Sequence, residues 1–266
     1  MYPTKYHKAE SVAGAVAALA AAEDGRVLSG GQTLIPTMKQ HLAAPSDLVD
    51  VRNVAGMQGV TVGPGTVTIG AATKHADVAA SAELRQHIPG LAALAGGIGD
   101  PAVRAMGTLG GSIANNDPAA DYPSAVLALN ATVITDRREI AADDYFDGMF
   151  ATALEDGEIV TGVRFPVPTR AAYSKFPNPA SRYAMVGVFV AETGGSVRVA
   201  VTGAGSDGVF RHGGLESALS ANFSAGAVDG VAVEADMMMS DIHASAAYRA
   251  HLVSVVAKRA VDAALA

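Results

Sequence analysis

The sequence has no cysteine among its 266 residues. That excludes disulfides, cysteine-ligated iron–sulfur clusters and thiol catalysis within the chain. Basic residues are scarce: 19 Lys and Arg stand against 26 Asp and Glu, for a net charge of −7. No basic stripe is available to neutralise phosphates, so neither nucleic-acid binding nor a polybasic membrane contact is expected. No apolar run is long enough to span a bilayer. The opening Met1-Tyr2-Pro3-Thr4-Lys5-Tyr6 lacks the charged-then-apolar pattern of a signal peptide. The expectation is a soluble cytoplasmic protein.

Catalytic signatures are missing too. No GxSxG, HExxH or nucleophile–base pattern occurs. The seven histidines are scattered, none at metal-ligand spacing, and each reads as a surface or satisfied side chain. Asp143-Asp144 and Glu155-Asp156 read as turn and surface carboxylates. No catalytic or metal-ligating residue is expected on this chain.

What is present is a half-apolar chain with 29 glycines, enough for a large core and many tight turns. Residues 9–22 read as an Ala-rich helix with Val12, Val16 and Leu19 on one face. A short strand at Arg26–Leu28, a helix over Leu34–Leu42 and a strand at Leu48–Val51 complete a βαβ-like opening of about fifty residues. Met57–Val62 and Thr66–Ile69 read as strands around the turn Gly63-Pro64-Gly65. Helices are expected over Lys74–Ser81, Pro89–Ile98 and Asp121–Leu129, and strands at Thr132–Thr135 and Ile159–Phe165. Beyond about residue 170 the pattern changes. Strands at Tyr183–Glu192 and Ser196–Gly203 flank a two-residue turn, Gly194-Gly195. Helices over Gly213–Leu219 and His243–Leu265 follow. Met237-Met238-Met239 reads as core filling, with a partner contact as the other reading.

Two glycine-rich segments carry the functional signal. Ser29-Gly30-Gly31-Gln32-Thr33 follows a strand and precedes a helix. Adjacent glycines let backbone N–H groups converge on an anion, and a helix N-terminus adds partial positive charge. The spacing matches neither the Rossmann nor the Walker pattern. By itself this segment also fits an ordinary strand-to-helix turn. The second segment runs from Ile98 to Pro123, IGDPAVRAMGTLGGSIANNDPAADYP. It packs glycines, hydroxyls, amides and carboxylates into what reads as a long irregular loop, a kind of segment that usually serves a ligand. A solvated surface loop is the other reading. Thr108, Ser112 and Asn115 suit phosphate and ribityl hydroxyls.

SGGQTLIPTMK, the Ile98–Pro123 stretch and YSKFPNPASRYAMVGV together resemble the FAD-binding medium subunit of the xanthine dehydrogenase/carbon monoxide dehydrogenase family of molybdenum hydroxylases. The resemblance spans nearly the whole chain. Thr33 stands where a serine is common in that family. The resemblance implies an α+β chain: a two-subdomain FAD-binding fold of the vanillyl-alcohol oxidase/p-cresol methylhydroxylase type over 1–168, with subdomains of about 1–55 and 56–168. A C-terminal α+β domain over 169–266 would carry a small antiparallel sheet and packed helices. FAD is the implied cofactor, its pyrophosphate bracketed by both segments. The implied contacts are Ser29, Gly30, Gly31, Gln32, Thr33 and Leu34 from the first, and Thr108, Gly110, Gly111, Ser112 and Asn115 from the second. Asp121 would meet sugar or ribityl hydroxyls. Lys175 would lie near the isoalloxazine, where a cation stabilises reduced flavin; a solvated strand-end lysine is the alternative. Tyr183 fits either the ring or simple strand packing.

The function so implied is electron transfer in a molybdenum hydroxylase. Electrons would pass from iron–sulfur clusters of a small partner, supplied by a large molybdenum-cofactor partner, through FAD to a terminal acceptor. A dimer of heterotrimers is the implied assembly. A self-contained FAD-dependent oxidoreductase of the same fold is the rival reading, and an acidic scaffold with vestigial loops is a third.

Overall fold

The computed structural model describes all 266 residues. The chain opens with strand β1 (Lys5–Lys8), helix α1 (Val12–Ala21), strand β2 (Gly25–Leu28), helix α2 (Leu34–Lys39) and strand β3 (Asp47–Asp50). The three strands form a parallel sheet of order β1-β3-β2. Parallel pairing needs crossover connections, and α1 and α2 supply them. Ser11 caps α1 by accepting from the Gly14 N–H at 3.0 Å. The helix expected over Leu34–Leu42 stops at Lys39, because His41 takes a left-handed φ of 61° and a left-handed residue cannot continue a right-handed helix.

Next come β4 (Val60–Gly63) and β5 (Thr66–Gly70), then six short helices: α3 (His75–Ala80), α4 (Ala82–His87), α5 (Pro89–Gly96), α6 (Pro101–Met106), α7 (Leu109–Asn115) and α8 (Tyr122–Ala128). Strands β6 (Thr132–Thr135), β7 (Glu139–Ala141) and β8 (Val160–Pro166) complete an antiparallel sheet of order β4-β5-β8-β6-β7. The expected irregular loop at 98–123 is therefore corrected. It is helical over α6, α7 and the first residues of α8. Its glycines lower helix propensity, but side-chain caps offset that. Asp100 accepts from the Val103 N–H at 2.9 Å, and Thr108 accepts from the Gly111 N–H at 3.2 Å. Pro101 and Pro123 sit in first turns, where a missing N–H costs little.

The third sheet is antiparallel, of order β12-β11-β10-β9. It comprises β9 (Arg170–Pro177), β10 (Ala184–Thr193), β11 (Ser196–Thr202) and β12 (Phe210–Arg211). Gly194 and Gly195 turn the β10–β11 hairpin with φ of 58° and 82°, the left-handed pair such a two-residue turn requires. Strand β9 has no clear alternation in the sequence, and most of its residues are only half-buried. Helices α9 (Gly213–Ala221) and α10 (Ala246–Leu265) follow, and Ser245 caps α10. No helix is long and apolar enough to cross a membrane.

Strand β10 is buried for eight consecutive residues because both faces of its sheet are covered. Val186, Val188 and Val190 join a core with α10 residues such as Val253, Val256 and Val261. Phe189 and Ala191 join the larger core built on the second sheet and its helices. Arg198 reinforces that junction: its Nε donates to the Leu127 carbonyl at 2.8 Å, and its guanidinium pairs with Asp143. Of the three consecutive methionines, Met238 is buried and Met237 exposed.

Candidate functional site

A cleft of about 560 Å³ lies where the first sheet meets the helices of the second. That is within the range of small-molecule and cofactor sites. Twelve of the thirteen residues expected to hold cofactor line it: Ser29 to Leu34, Thr108, Gly110, Gly111, Ser112, Asn115 and Asp121. Lys175 does not.

The first glycine segment hangs between β2 and α2. Gly31 holds φ at 69°, a conformation costly for any residue with a Cβ. Gly30 is needed for a different reason. A Cβ there would lie 2.5 Å from the Met106 carbonyl oxygen and 2.6 Å from the Gly107 Cα. The loop therefore rests directly on the second segment, and Ser29 Oγ lies 2.9 Å from Thr108 Oγ1. No backbone N–H from Ser29 to Thr33 donates to an acceptor in the chain. Backbone donors rarely go unpaired unless water or a ligand receives them. Five adjacent free donors on residues that line a cleft suit a multiply charged anion.

The second segment is built otherwise. The Leu109 N–H donates to the Thr73 carbonyl at 3.1 Å, and the Gly110 N–H to the Ala71 carbonyl at 2.8 Å. A Cβ on Gly110 would lie 2.5 Å from the Ala71 Cβ. Gly110 thus lets α7 approach the end of β5, and its N–H is already used. Gly111 is exposed, and a Cβ there would meet only Thr108 Oγ1, at 3.0 Å. The segment contributes a rigid floor plus the side chains of Thr108, Ser112 and Asn115.

Asp121, only 5 % exposed, stands at the start of α8. Its Oδ1 accepts from the Tyr173 hydroxyl at 2.6 Å and from Lys175 Nζ at 2.9 Å. Lys175 is thus no solvated strand-end lysine. Tyr183, half exposed, lines the same end of the cleft.

Three features were not legible in the sequence. His75 lines the cleft, yet it is buried and its Nδ1 has no partner. This corrects the expectation of a surface or satisfied histidine. Burial, helped by the nearby Arg104 charge, pushes its pKa down to about 4, so the ring is neutral. The far end of the cleft is lined by Leu154, Ile159 and Val160 together with Glu158. The Glu158 carboxylate is held by Arg138 at 3.0 Å and Thr135 at 2.7 Å, and hydrogen bonding to Arg138 lowers its pKa to about 2. The Asp121–Lys175 pairing is the third.

The model of the FAD binding domain in molybdopterin dehydrogenase matches residues 2–168. The carbon monoxide dehydrogenase medium chain of Hydrogenophaga pseudoflava is 33% identical, over 98% of this chain and 97% of that one. The nicotine 6-hydroxylase medium subunit of Paenarthrobacter nicotinovorans is 34% identical, over 97% and 95%. In three dimensions the chain superposes on a chain of the cyanide-inactivated Cu,Mo-CO dehydrogenase with a TM-score of 0.90, at 33% identity and 99% coverage of both. With its cleft, its free amides and these likenesses together, the chain belongs to the FAD-binding medium-subunit family of the molybdenum hydroxylases and is an oxidoreductase subunit.

Proposed function

We propose that this chain is the flavin-bearing relay of a multi-subunit molybdenum hydroxylase. In this reading a small partner brings electrons on iron–sulfur clusters, a large partner holds the molybdenum cofactor, and a terminal acceptor drains the flavin. Bound FAD supplies the chemistry that joins one-electron donors to two-electron acceptors. The observation that carries the reading is the run of unpartnered amides from Ser29 to Thr33 over the cleft.

The chain's own residues have separate tasks. The Ser29–Thr33 amides bind the pyrophosphate, with help from the Ser29, Gln32 and Thr33 side chains. Thr108, Ser112 and Asn115 hold phosphate and ribityl oxygens from the floor, Gly110 keeps that floor close to β5, and Gly111 leaves open space for the cofactor beside it. Asp121 accepts from a sugar or ribityl hydroxyl. Tyr183 borders the flavin end, and Lys175 exerts its charge there through Asp121. We also propose that 1–168 is the FAD-binding unit and that 169–266 closes the seat, supported by the reach of Tyr173 and Lys175 to Asp121. The carbon monoxide dehydrogenase and nicotine hydroxylase medium chains are about equally similar to this one, although those enzymes act on unlike substrates. That supports substrate choice lying on the large partner. The assembly proposed is a dimer of heterotrimers.

The test is to purify the full chain alone and with its co-expressed partners. The expected result is one FAD per chain in both preparations. Oxidisable substrate should bleach the flavin only in the complex. Bleaching of the isolated chain would establish the self-contained oxidoreductase instead, and a colourless chain that takes up no FAD would refute both. Light scattering on the complex checks the six-chain mass.

A further inference from the structure

Asp121 has two carboxylate oxygens with unlike surroundings. Oδ1 takes both hydrogen bonds from the chain, one from Tyr173 and one from Lys175. Oδ2 takes none, and it is not sealed from solvent. Because Asp121 lines the cleft, Oδ2 is the oxygen left to a ligand. The two donors come from neighbouring positions on one face of β9, since alternate residues of a strand share a face. The protein makes room for this contact deep in the third sheet. A Cβ on Gly187, the β10 residue paired with Lys175, would lie 2.2 Å from the Tyr173 hydroxyl. Phe189 stacks on the Tyr173 ring at 6.2 Å between centroids. Tyr173 is therefore held at both ring and hydroxyl.

We propose that Tyr173 and Lys175 are positioning residues that together occupy Oδ1 of Asp121, so that this carboxylate presents Oδ2 alone, in fixed orientation, to a hydroxyl of the bound cofactor. This rests on the FAD reading above. It gives Lys175 a role through Asp121 and makes Tyr173, to which the sequence reading gave no cofactor role, a determinant of cofactor affinity.

Charge supports the geometry. Burial pushes the Asp121 carboxyl above its ordinary range, while Lys175 and then Tyr173 draw it back down. The other titratable groups facing it are Tyr122 on its own helix and Tyr183, which also feels Asp117. His75 packs behind Tyr122, with ring centroids 5.3 Å apart. None of these supplies a second cation. Without Lys175 the acid is therefore left protonated to higher pH, and a protonated acid is a poorer acceptor for a hydroxyl.

The experiment measures FAD dissociation constants for the full-length chain between pH 5.5 and 9 (roughly the window above ordinary carboxylate titration). The proteins are wild type, Tyr173→Phe, Lys175→Met, Lys175→Arg, Asp121→Asn and the double variant Lys175→Met/Asp121→Asn. Lys175→Met should weaken binding by about tenfold at the acidic end, the scale of one charge-assisted hydrogen bond, and recover as pH rises. Tyr173→Phe should lose a smaller factor with the same trend, and Lys175→Arg should restore most of the affinity. Asp121→Asn should bind weakly without pH dependence, and adding Lys175→Met to it should cost little more. Circular dichroism melts identify any variant that fails to fold; Lys175→Arg, which keeps the charge, and Asp121→Asn, which keeps the shape, then carry the test. Unchanged affinity and pH profile in Lys175→Met, or full additivity in the double variant, would overturn the proposal while leaving FAD binding intact. Absence of FAD binding by wild type would instead overturn the cofactor reading itself.

Discussion

From Ser29 to Thr33 five cleft-lining residues carry amides with no acceptor in the chain, whereas after Thr108 the amides of Leu109, Gly110 and Gly111 are all taken, by Thr73, Ala71 and Thr108. Both segments are glycine-rich, and in the sequence they look like two copies of one device. In the fold they divide the work. The first is a donor surface that a ligand must complete. The second is a helix start packed so tightly at Gly110 that this glycine serves approach rather than freedom of the backbone. The same residue type thus answers three needs: left-handed φ at Gly31, contact with backbone at Gly30, and contact between helix and strand end at Gly110.

Substitutions separate these needs. Gly30→Val and Gly110→Val should be the most damaging, each forcing a Cβ to within about 2.5 Å of its neighbours. A cost of about 3 kcal/mol is expected, with loss of retained FAD. Thermal melts and flavin absorbance of the purified variants check it. Gly30→Val should break the contact between the segments, while Gly110→Val should break the floor alone.

Acid should act on the floor next. A Cβ on Gly107 would lie 2.6 Å from His75 Nε2, so the histidine is part of that packing. Its folded pKa, about 4, lies below its ordinary 6.5. The unfolded chain then binds the proton more readily. Stability is complete above pH 6.5 and is lost as pH falls towards 4, by up to about 3 kcal/mol. Glu158, with pKa lowered from 4.5 to about 2, adds a loss in the same direction at lower pH. Urea melts of wild type and His75→Gln between pH 4 and 7 should show a shallower slope in the variant. Equal slopes would place the proton elsewhere.

Smaller effects sharpen the contrast. Gly31→Ala should cost about 1 kcal/mol through its left-handed φ, and weaken FAD binding by a similar factor, read by titration. Gly111→Val should change stability by no more than about 0.5 kcal/mol, because valine's better helix propensity offsets the 3.0 Å contact of its Cβ with Thr108 Oγ1, yet it should lower FAD affinity, because the side chain points to nearly open space beside the cleft. A Gly111→Val melting temperature as low as that of Gly110→Val would show that the two adjacent glycines do not differ as described.

The sequence made some of this plain. The strand–loop–helix order around Ser29–Thr33 follows from local pattern, as do the Gly194-Gly195 hairpin and the terminal helix. Twelve of the thirteen chosen residues fall on one cleft. What stayed hidden depends on distant contacts. Helix α7 contains Gly110 and Gly111 because Thr108 caps it and Ala71 accepts from it, neither of which periodicity reports. Strand β9 is visible only once β10 lies beside it. His75 looks like any surface histidine until Gly107 and Tyr122 cover it, and the Asp121–Lys175 pair joins residues 54 positions apart.

That separation has a consequence for synthesis. The seat depends on Ser29 meeting Thr108, 79 residues later, and on Asp121 meeting Tyr173 and Lys175. Such contacts close long loops and form late. A chain emerging from the ribosome can complete its first sheet and helices α1 to α8 well before β9 exists. Until Lys175 has emerged, Asp121 has neither its cation nor the Tyr173 hydroxyl. The finished cofactor seat thus waits for β9, past residue 170 of 266, and capture of FAD by a chain truncated before β9 is disfavoured by the fold itself.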